Sequence, residues 1–263
     1  MTVKDYIRQL QAVEEYAFSI EEAIAHASKD ATAVKREIAR LVDKKEIVNL
    51  RKGFYLILPP RYSRAEKLPI QLYAHKLFHY LQRNYYIGLF SAAATYGASH
   101  QQLQRDYFIT EAPKLNAIQK QPFDIHFFTT SCWPSNNIPN LQSDAGIYAI
   151  SSPTLTFIDL IHHHPKIGGL NRMLASLEEL IEAMTEQDLS ALCTWYPHKS
   201  TLQRAGFLLE EFGMAHTFAD IIYDKLQHSL YYPVLLSPRL HQKPGSAPNR
   251  WKIDVNLRLE NDL

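Results

Sequence analysis

The stretch "KDATAVKREIARLVDKKEIVNLRKGFYLILPPR", residues 29–61, sets a basic helix ahead of a short strand, a charged Arg-Lys-Gly turn and a second strand. Few small folds accept that order. At about 100° per residue, Val34, Ile38, Leu41 and Val42 gather on one side of the helix and read as core. The opposite side, centred near Arg36, collects Lys29, Thr32, Arg40 and Asp43, with Lys35 on its flank and Ala33 and Ala39 adding little bulk. A face of this kind can lie flat against an anionic surface. Asp30 or Ser28 can cap the helix start, and the preceding "FSIEEAIAHAS" has Ser19 and Glu22 at capping-box spacing, with Ile20, Ala23, Ile24 and Ala27 as its buried stripe.

Upstream, "TVKDYIRQLQAVEEY" offers Val3, Ile7, Leu10 and Val13 as a stripe that packs beneath the other two helices. Downstream, "EIVNL" and "GFYLIL" flank Arg51, Lys52 and Gly53 as a hairpin whose glycine supplies a positive φ. Helix, helix, helix, hairpin is the order of a winged helix-turn-helix. Such a unit reads DNA with the N-terminal end of its third helix in the major groove and the hairpin along the neighbouring backbone. The expected contact residues are Lys29, Thr32, Lys35, Arg36, Arg40, Arg51 and Lys52.

Charge is distributed in keeping with this. Residues 29–64 hold ten Lys or Arg against four Asp or Glu, a net of +6, whereas the whole chain is formally +1, leaving −5 elsewhere. Only the front end is suited to phosphate. A chain of 263 residues exceeds what a winged helix needs, so a second domain is expected. The join is placed in "LPPRYSRAEKLP", residues 58–69, giving a DNA-binding domain over 1–65 and a larger domain over 70–263.

The second domain reads as mixed α/β. Helical runs "LYAHKLFHYLQR" and "YYIGLFSAAATYGA", the latter ended by Gly97, precede strand candidates "DYFITEA", "FDIHFFTT" and "GIYAIS". Ser152 and Pro153 open a helix through "TLTFIDLIHHH", four more helical stretches run from Leu170 to Gln227, and "RWKIDVNLRLE" alternates like a half-buried strand. Nothing approaches a membrane span or a signal-peptide core, so the reading is a cytoplasmic protein with no membrane partner. Cys132 and Cys193 read as ordinary thiols.

Catalytic motifs are not evident. His162, His163 and His164 are adjacent on a helix and diverge, so they read as helix-end residues at the negative pole of the dipole. His75 and His79 have zinc-helix spacing, but Lys76 stands where a metalloprotease needs its glutamate. Asp124 lacks an acidic strand partner for a metal-dependent nuclease, and Gly168-Gly169 lacks the flanking residues of a phosphate loop. The chain reads as a non-enzyme that calls for no cofactor and no metal.

Taken in series, the hairpin "LRKGFYLI", the segment "YYIGLFSAAATYGASHQQLQRDYFIT", the block "SSPTLTFIDLIHHHPKIGGLNRMLASLEELIE" and the later "QRAGFLLEEFG" resemble the AbiEi family of antitoxins from bacterial abortive-infection systems. The resemblance implies an N-terminal winged helix-turn-helix followed by an α+β antitoxin domain. It further implies an autorepressor, monomer or homodimer on DNA, bound to inverted repeats at its own promoter. The implied functional partner is a nucleotidyltransferase-like toxin in a type IV phage-defence system, whose antagonism need not involve a stable complex. The alternatives are a winged-helix regulator whose α/β domain senses a small ligand, with no toxin partner, and an enzyme acting on nucleic acid.

Overall fold

Local capping defines the first elements of the computed structural model, which describes residues 1–62, 67–99, 104–213, 216–240 and 242–260. Helix α1 (Val3–Ala12) opens on a capping box between Thr2 and Asp5, strand β1 (Ala17–Ser19) runs directly into α2 (Ile20–His26), and α2 carries the expected Ser19–Glu22 box. Helix α3 (Ala31–Asp43) is capped by Asp30, whose Oδ1 accepts from Thr32 N at 2.8 Å and Ala33 N at 2.9 Å. Strands β2 (Ile47–Arg51) and β3 (Phe54–Ile57) follow, and the sheet order is β1-β3-β2, antiparallel throughout.

The core of this first part draws one or more buried residues from each element: Val3, Ile7 and Leu10 from α1, Phe18 from β1, Ala23 from α2, Val34, Ile38 and Leu41 from α3, and Ile47 and Ile57 from the sheet. Ile20, Ile24, Ala27 and Val42 pack around it half-buried. Val13 differs from expectation: it is the residue that ends α1 and is exposed, and Tyr6 takes its place in the core. Strand alternation sends Phe54 and Leu56 to the other face of the sheet, where Phe54 meets Tyr80 at 5.2 Å between ring centroids.

Tyr80 belongs to α4 (Ala74–Leu81), whose Phe78 packs on a four-stranded sheet of order β4-β5-β7-β6. These strands are β4 (Tyr85–Ile87), β5 (Asp106–Thr110), β6 (Ile118–Lys120) and β7 (Phe123–Thr129). Phe78 stacks on Tyr85 at 4.3 Å and meets Phe108 edge-on at 5.0 Å. The antiparallel hairpin of β8 (Asn140–Ser143) with β9 (Gly146–Ala149) completes this part.

Two compact units result. The first comprises Met1–Ile87, Gln104–Thr130 and Asn140–Ala149, the second Gly88–Leu103, Ser131–Pro139 and Ile150–Leu263. Residues 70–87 therefore group with the opening helices. Residues 63–66, inside the expected join at 58–69 and including the expected domain end at 65, lie outside the described residues.

The second unit is mostly helical: α5 (Leu89–Thr95), α6 (Pro153–Ile167), α7 (Leu174–Ala183), α8 (Glu186–Trp195), α9 (Lys199–Glu211) and α10 (His216–Gln227). Gly97 follows α5 with φ +80°, and Ser152 caps α6 with Pro153 in its first turn, both as expected. The C-terminal run does not form the long strand that its alternation suggested. Only β10 (Val234–Leu235) and β11 (Ile253–Asp254) pair, in parallel, because Trp251 and Ile253 are buried against α9 while Val255 turns to solvent. Among the described residues, no helix is long and apolar enough to cross a membrane.

Candidate nucleic-acid interface

The 13 residues of α3 divide into two faces, as the wheel requires. Val34, Ile38 and Leu41 are buried, and Thr32, Lys35, Arg36, Ala39, Arg40 and Asp43 are exposed. Thr32 sits in the first turn, its backbone N–H held by the Asp30 cap, so the helix start presents a short polar side chain rather than bulk. Among the described residues, Lys35, Arg36 and Arg40 form no ion pair. Their three charges are therefore available along one ridge that begins one turn from the helix start.

Lys29 is placed differently. Its Nζ lies 2.7 Å from Glu37 Oε2, and the other Glu37 oxygen accepts from the Lys4 backbone N–H at 3.3 Å. Burial pushes the Glu37 carboxyl up, but the Lys29 hydrogen bond, the backbone N–H groups and the Lys29 charge outweigh it and hold the pKa below its ordinary value. Lys29 thus ties the turn before α3 to the body of the helix.

In the hairpin, β2 is bulged. Asn49 pairs with Tyr55 and Arg51 with Phe54, so Leu50 is the extra residue. The tip is the two-residue turn Lys52-Gly53, with Gly53 at φ +77°. Lys52 is exposed, and its carbonyl accepts from the Tyr80 hydroxyl at 3.0 Å, which fixes the tip to α4. Arg51 is only half exposed, and its Nη1 is enclosed without a hydrogen-bond partner among the described residues. Two cations missed in the sequence adjoin these elements. Lys44 is exposed just past α3, and Lys120 on β6 donates to Asn49 O and Oδ1 at 3.0 Å each, at the base of the hairpin. The local charge count could have found Lys44; a contact 71 residues apart carries no sequence signal.

The histidines of α6 correct the helix-dipole reading. Burial first, then the neighbouring charges of His198, Lys166 and Arg204, lowers His162 to about 4, and burial sends His163 well below 6.5. His164, lowered by burial to about 4, directs Nδ1 at the Ile161 carbonyl at 2.6 Å. All three are neutral near pH 7, His163 and His164 buried and His162 half-buried, rather than cations at a helix end. His75 and His79 are exposed on α4, and Lys76 between them pairs with Glu15 at 2.6 Å. Among the described residues, no cluster of His, Cys, Asp or Glu is placed to hold a metal ion.

Residues 86–211 match the family model described as the AbiEi antitoxin C-terminal domain, which bears out the resemblance over that stretch. Among solved structures, the chain is similar in fold to the RV2827C protein from Mycobacterium tuberculosis, with TM-score 0.62 and 16% identity, covering 94% of this chain and 89% of that one. It also aligns with an antigenic nucleotidyltransferase-like protein from Paracoccidioides brasiliensis at TM-score 0.39 and 9% identity, covering 56% of this chain and 89% of that one. No curated protein matches the chain.

Proposed function

From a chain whose residues 86–211 carry an AbiEi antitoxin C-terminal domain, we propose a transcriptional autorepressor and antitoxin whose two activities lie in different parts of the molecule. The opening helices and hairpin act as a winged helix-turn-helix on operator DNA, with inverted repeats at the protein's own promoter as the site. Thr32, Lys35, Arg36 and Arg40 face the major groove and its phosphates, and Lys52, with Arg51 behind it, follows the adjacent backbone. The later domain counteracts a nucleotidyltransferase-like toxin, the partner that the family resemblance implies.

The observation that supports operator binding best is the exposed ridge of Lys35, Arg36 and Arg40 on the helix that follows a tight turn. A solvated amphipathic helix would also expose charges, but it would ordinarily mix their signs. Here Asp43 is the only exposed carboxylate on α3 itself, at the end away from the helix start. The test has two arms. Mobility shift and footprinting on DNA upstream of the gene should show a protected inverted repeat, and co-expression with the neighbouring toxin from an unrelated promoter should restore growth. Sequence-independent binding alone sinks the repressor reading; failure to rescue growth by a well-folded protein sinks the antitoxin reading.

A further inference from the structure

Far along the second unit, a cavity of about 350 Å³ opens beside the start of α9 and the end of α10, lined by Lys199, Lys225, His228, Leu202, Leu226 and Tyr196 among others. Its lining includes two lysines and a histidine over an apolar floor and no carboxylate. The second unit as a whole holds thirteen Asp or Glu against ten Lys or Arg, so a lining with basic side chains and no carboxylate departs from the balance of the unit that carries it.

The segment after α10 is built to display side chains next to that cavity. Lys199 Nζ donates to the Leu230 carbonyl at 2.8 Å, and Gln203 Nε2, one turn further along α9, donates to the Tyr232 carbonyl at 2.9 Å. Between them Tyr231 turns inward: its hydroxyl donates to the Arg250 carbonyl at 2.8 Å, and the Lys252 ammonium lies 4.2 Å from its ring centroid. The backbone is thus pinned while Leu230 and Tyr232 point outward, 70% and 67% exposed. Large apolar side chains held out by a fixed backbone beside a charged recess are the makings of a protein interface, with apolar anchors and a polar partner for orientation.

We infer that this face docks a short acidic protein segment carrying large apolar side chains, its carboxylates on Lys199, Lys225 and His228 and its apolar residues over Leu230 and Tyr232. A small anion in the cavity would leave both displayed side chains in water. Nucleic acid would bring a long run of phosphates to a unit whose net charge is negative, whereas a short segment needs only the local cations. The inference stands apart from operator binding, since none of these residues belongs to the first unit.

Fluorescence anisotropy on the full-length protein tests it, with a labelled peptide of glutamates and leucines and a second in which every glutamate is glutamine. The acidic peptide should bind at least roughly tenfold more tightly than its amide counterpart. Lys225→Glu, on an exposed side chain, should weaken it several-fold, and Lys199→Glu with Lys225→Glu should abolish it. Leu230→Ser with Tyr232→Ser should weaken it roughly tenfold while thermal melting stays unchanged. Equal binding of the two peptides overturns the inference, as does indifference to the Lys225 change. Competition by inorganic phosphate as effective as by unlabelled peptide marks a small-anion site instead. If the substitutions alter only the sedimentation of the protein alone, the face joins copies of this chain and the inference falls.

Discussion

The indole of Trp251 occupies the space that a side chain at position 206 would need: a Cβ built on Gly206 would lie 2.1 Å from the ring. Trp251 is fully buried, its carbonyl accepts from Gln203 Nε2 at 2.7 Å, and its Nε1 donates to Glu210. Residues 203, 206 and 210 share one face of α9, so the "RAGFLLE" block reads as the seat of the C-terminal segment. A glycine in a helix interior costs about 1 kcal/mol against alanine, and here that cost permits close approach of a large ring.

Gly206→Ala should therefore destabilise the protein despite its better helix propensity, by roughly 1–3 kcal/mol from overpacking. Urea titration should show the midpoint fall, and Trp251→Phe in the same chain should recover part of it, since a smaller ring can yield. A Gly206→Ala protein as stable as wild type would mean that the helix and the C-terminal segment are not packed as described.

Gly53→Ala addresses the hairpin. The residue holds φ +77°, and a Cβ there would meet the Tyr80 hydroxyl at 2.7 Å. Left-handed geometry costs a non-glycine residue about 1–2 kcal/mol, and displacing Tyr80 breaks its bond to the Lys52 carbonyl. Operator affinity should drop with stability, and Tyr80→Phe should reproduce part of the affinity loss while leaving the turn unstrained. No change in affinity for either variant would remove the hairpin from the proposed interface.

Much of this was legible in the sequence where causes are local. Asp30, the Ser19–Glu22 box, Gly97 and the Ser152–Pro153 pair mark helix ends through neighbours a few residues away, and each does so in the structure. Strand β4 was hidden because "YYI" runs without a break into an alanine-rich helix; the change occurs at Gly88 and at Leu89, whose φ is +54°. The C-terminal alternation misled because period two persists whether or not a partner strand exists, and only β10 is there to pair. At the proposed interface, the exposure of Arg36 and Arg40 follows from periodicity. The Lys29–Glu37 pair begins in the turn outside the helix, and the contact of Lys120 with the hairpin depends on tertiary packing.

Stability should depend on pH through α6. His162 and His164 have folded pKa values depressed from 6.5 to about 4, with burial the leading cause. Above about 6.5 both states are neutral and the full stability is present. As pH falls from there to about 4, the unfolded chain takes up protons that the folded protein does not, so stability declines and the loss is complete below the folded values. Urea midpoints measured from neutral pH to about 4.5 should fall, and His162→Asn should flatten the slope in that window. A variant slope as steep as wild type would mean that His162 is not shielded from water.

Base reading and phosphate contact should separate by salt. Arg36→Ala should weaken specific operator binding by roughly 1–3 kcal/mol and relax preference at one base position. Lys52→Ala should weaken all sequences alike and flatten the plot of log affinity against log salt by about 0.9. An unchanged slope for Lys52→Ala would take the hairpin tip off the DNA backbone.

The two proposed activities should also come apart in cells. Cutting the chain near residue 70 is a poor test, because Tyr80 packs on Phe54 and Lys76 pairs with Glu15, so the cut would strip α4 of partners within its own compact unit. Point variants avoid this. Arg36 and Lys52 are exposed, and Lys52→Ala keeps the backbone carbonyl that receives the Tyr80 hydroxyl. The double variant Arg36→Ala, Lys52→Ala should therefore fold as wild type, release a reporter placed behind the protein's own promoter, and still protect cells from the neighbouring toxin expressed from an unrelated promoter. If the folded double variant loses protection along with repression, the toxin is countered through the DNA-binding end, and the division of labour between the two parts is wrong.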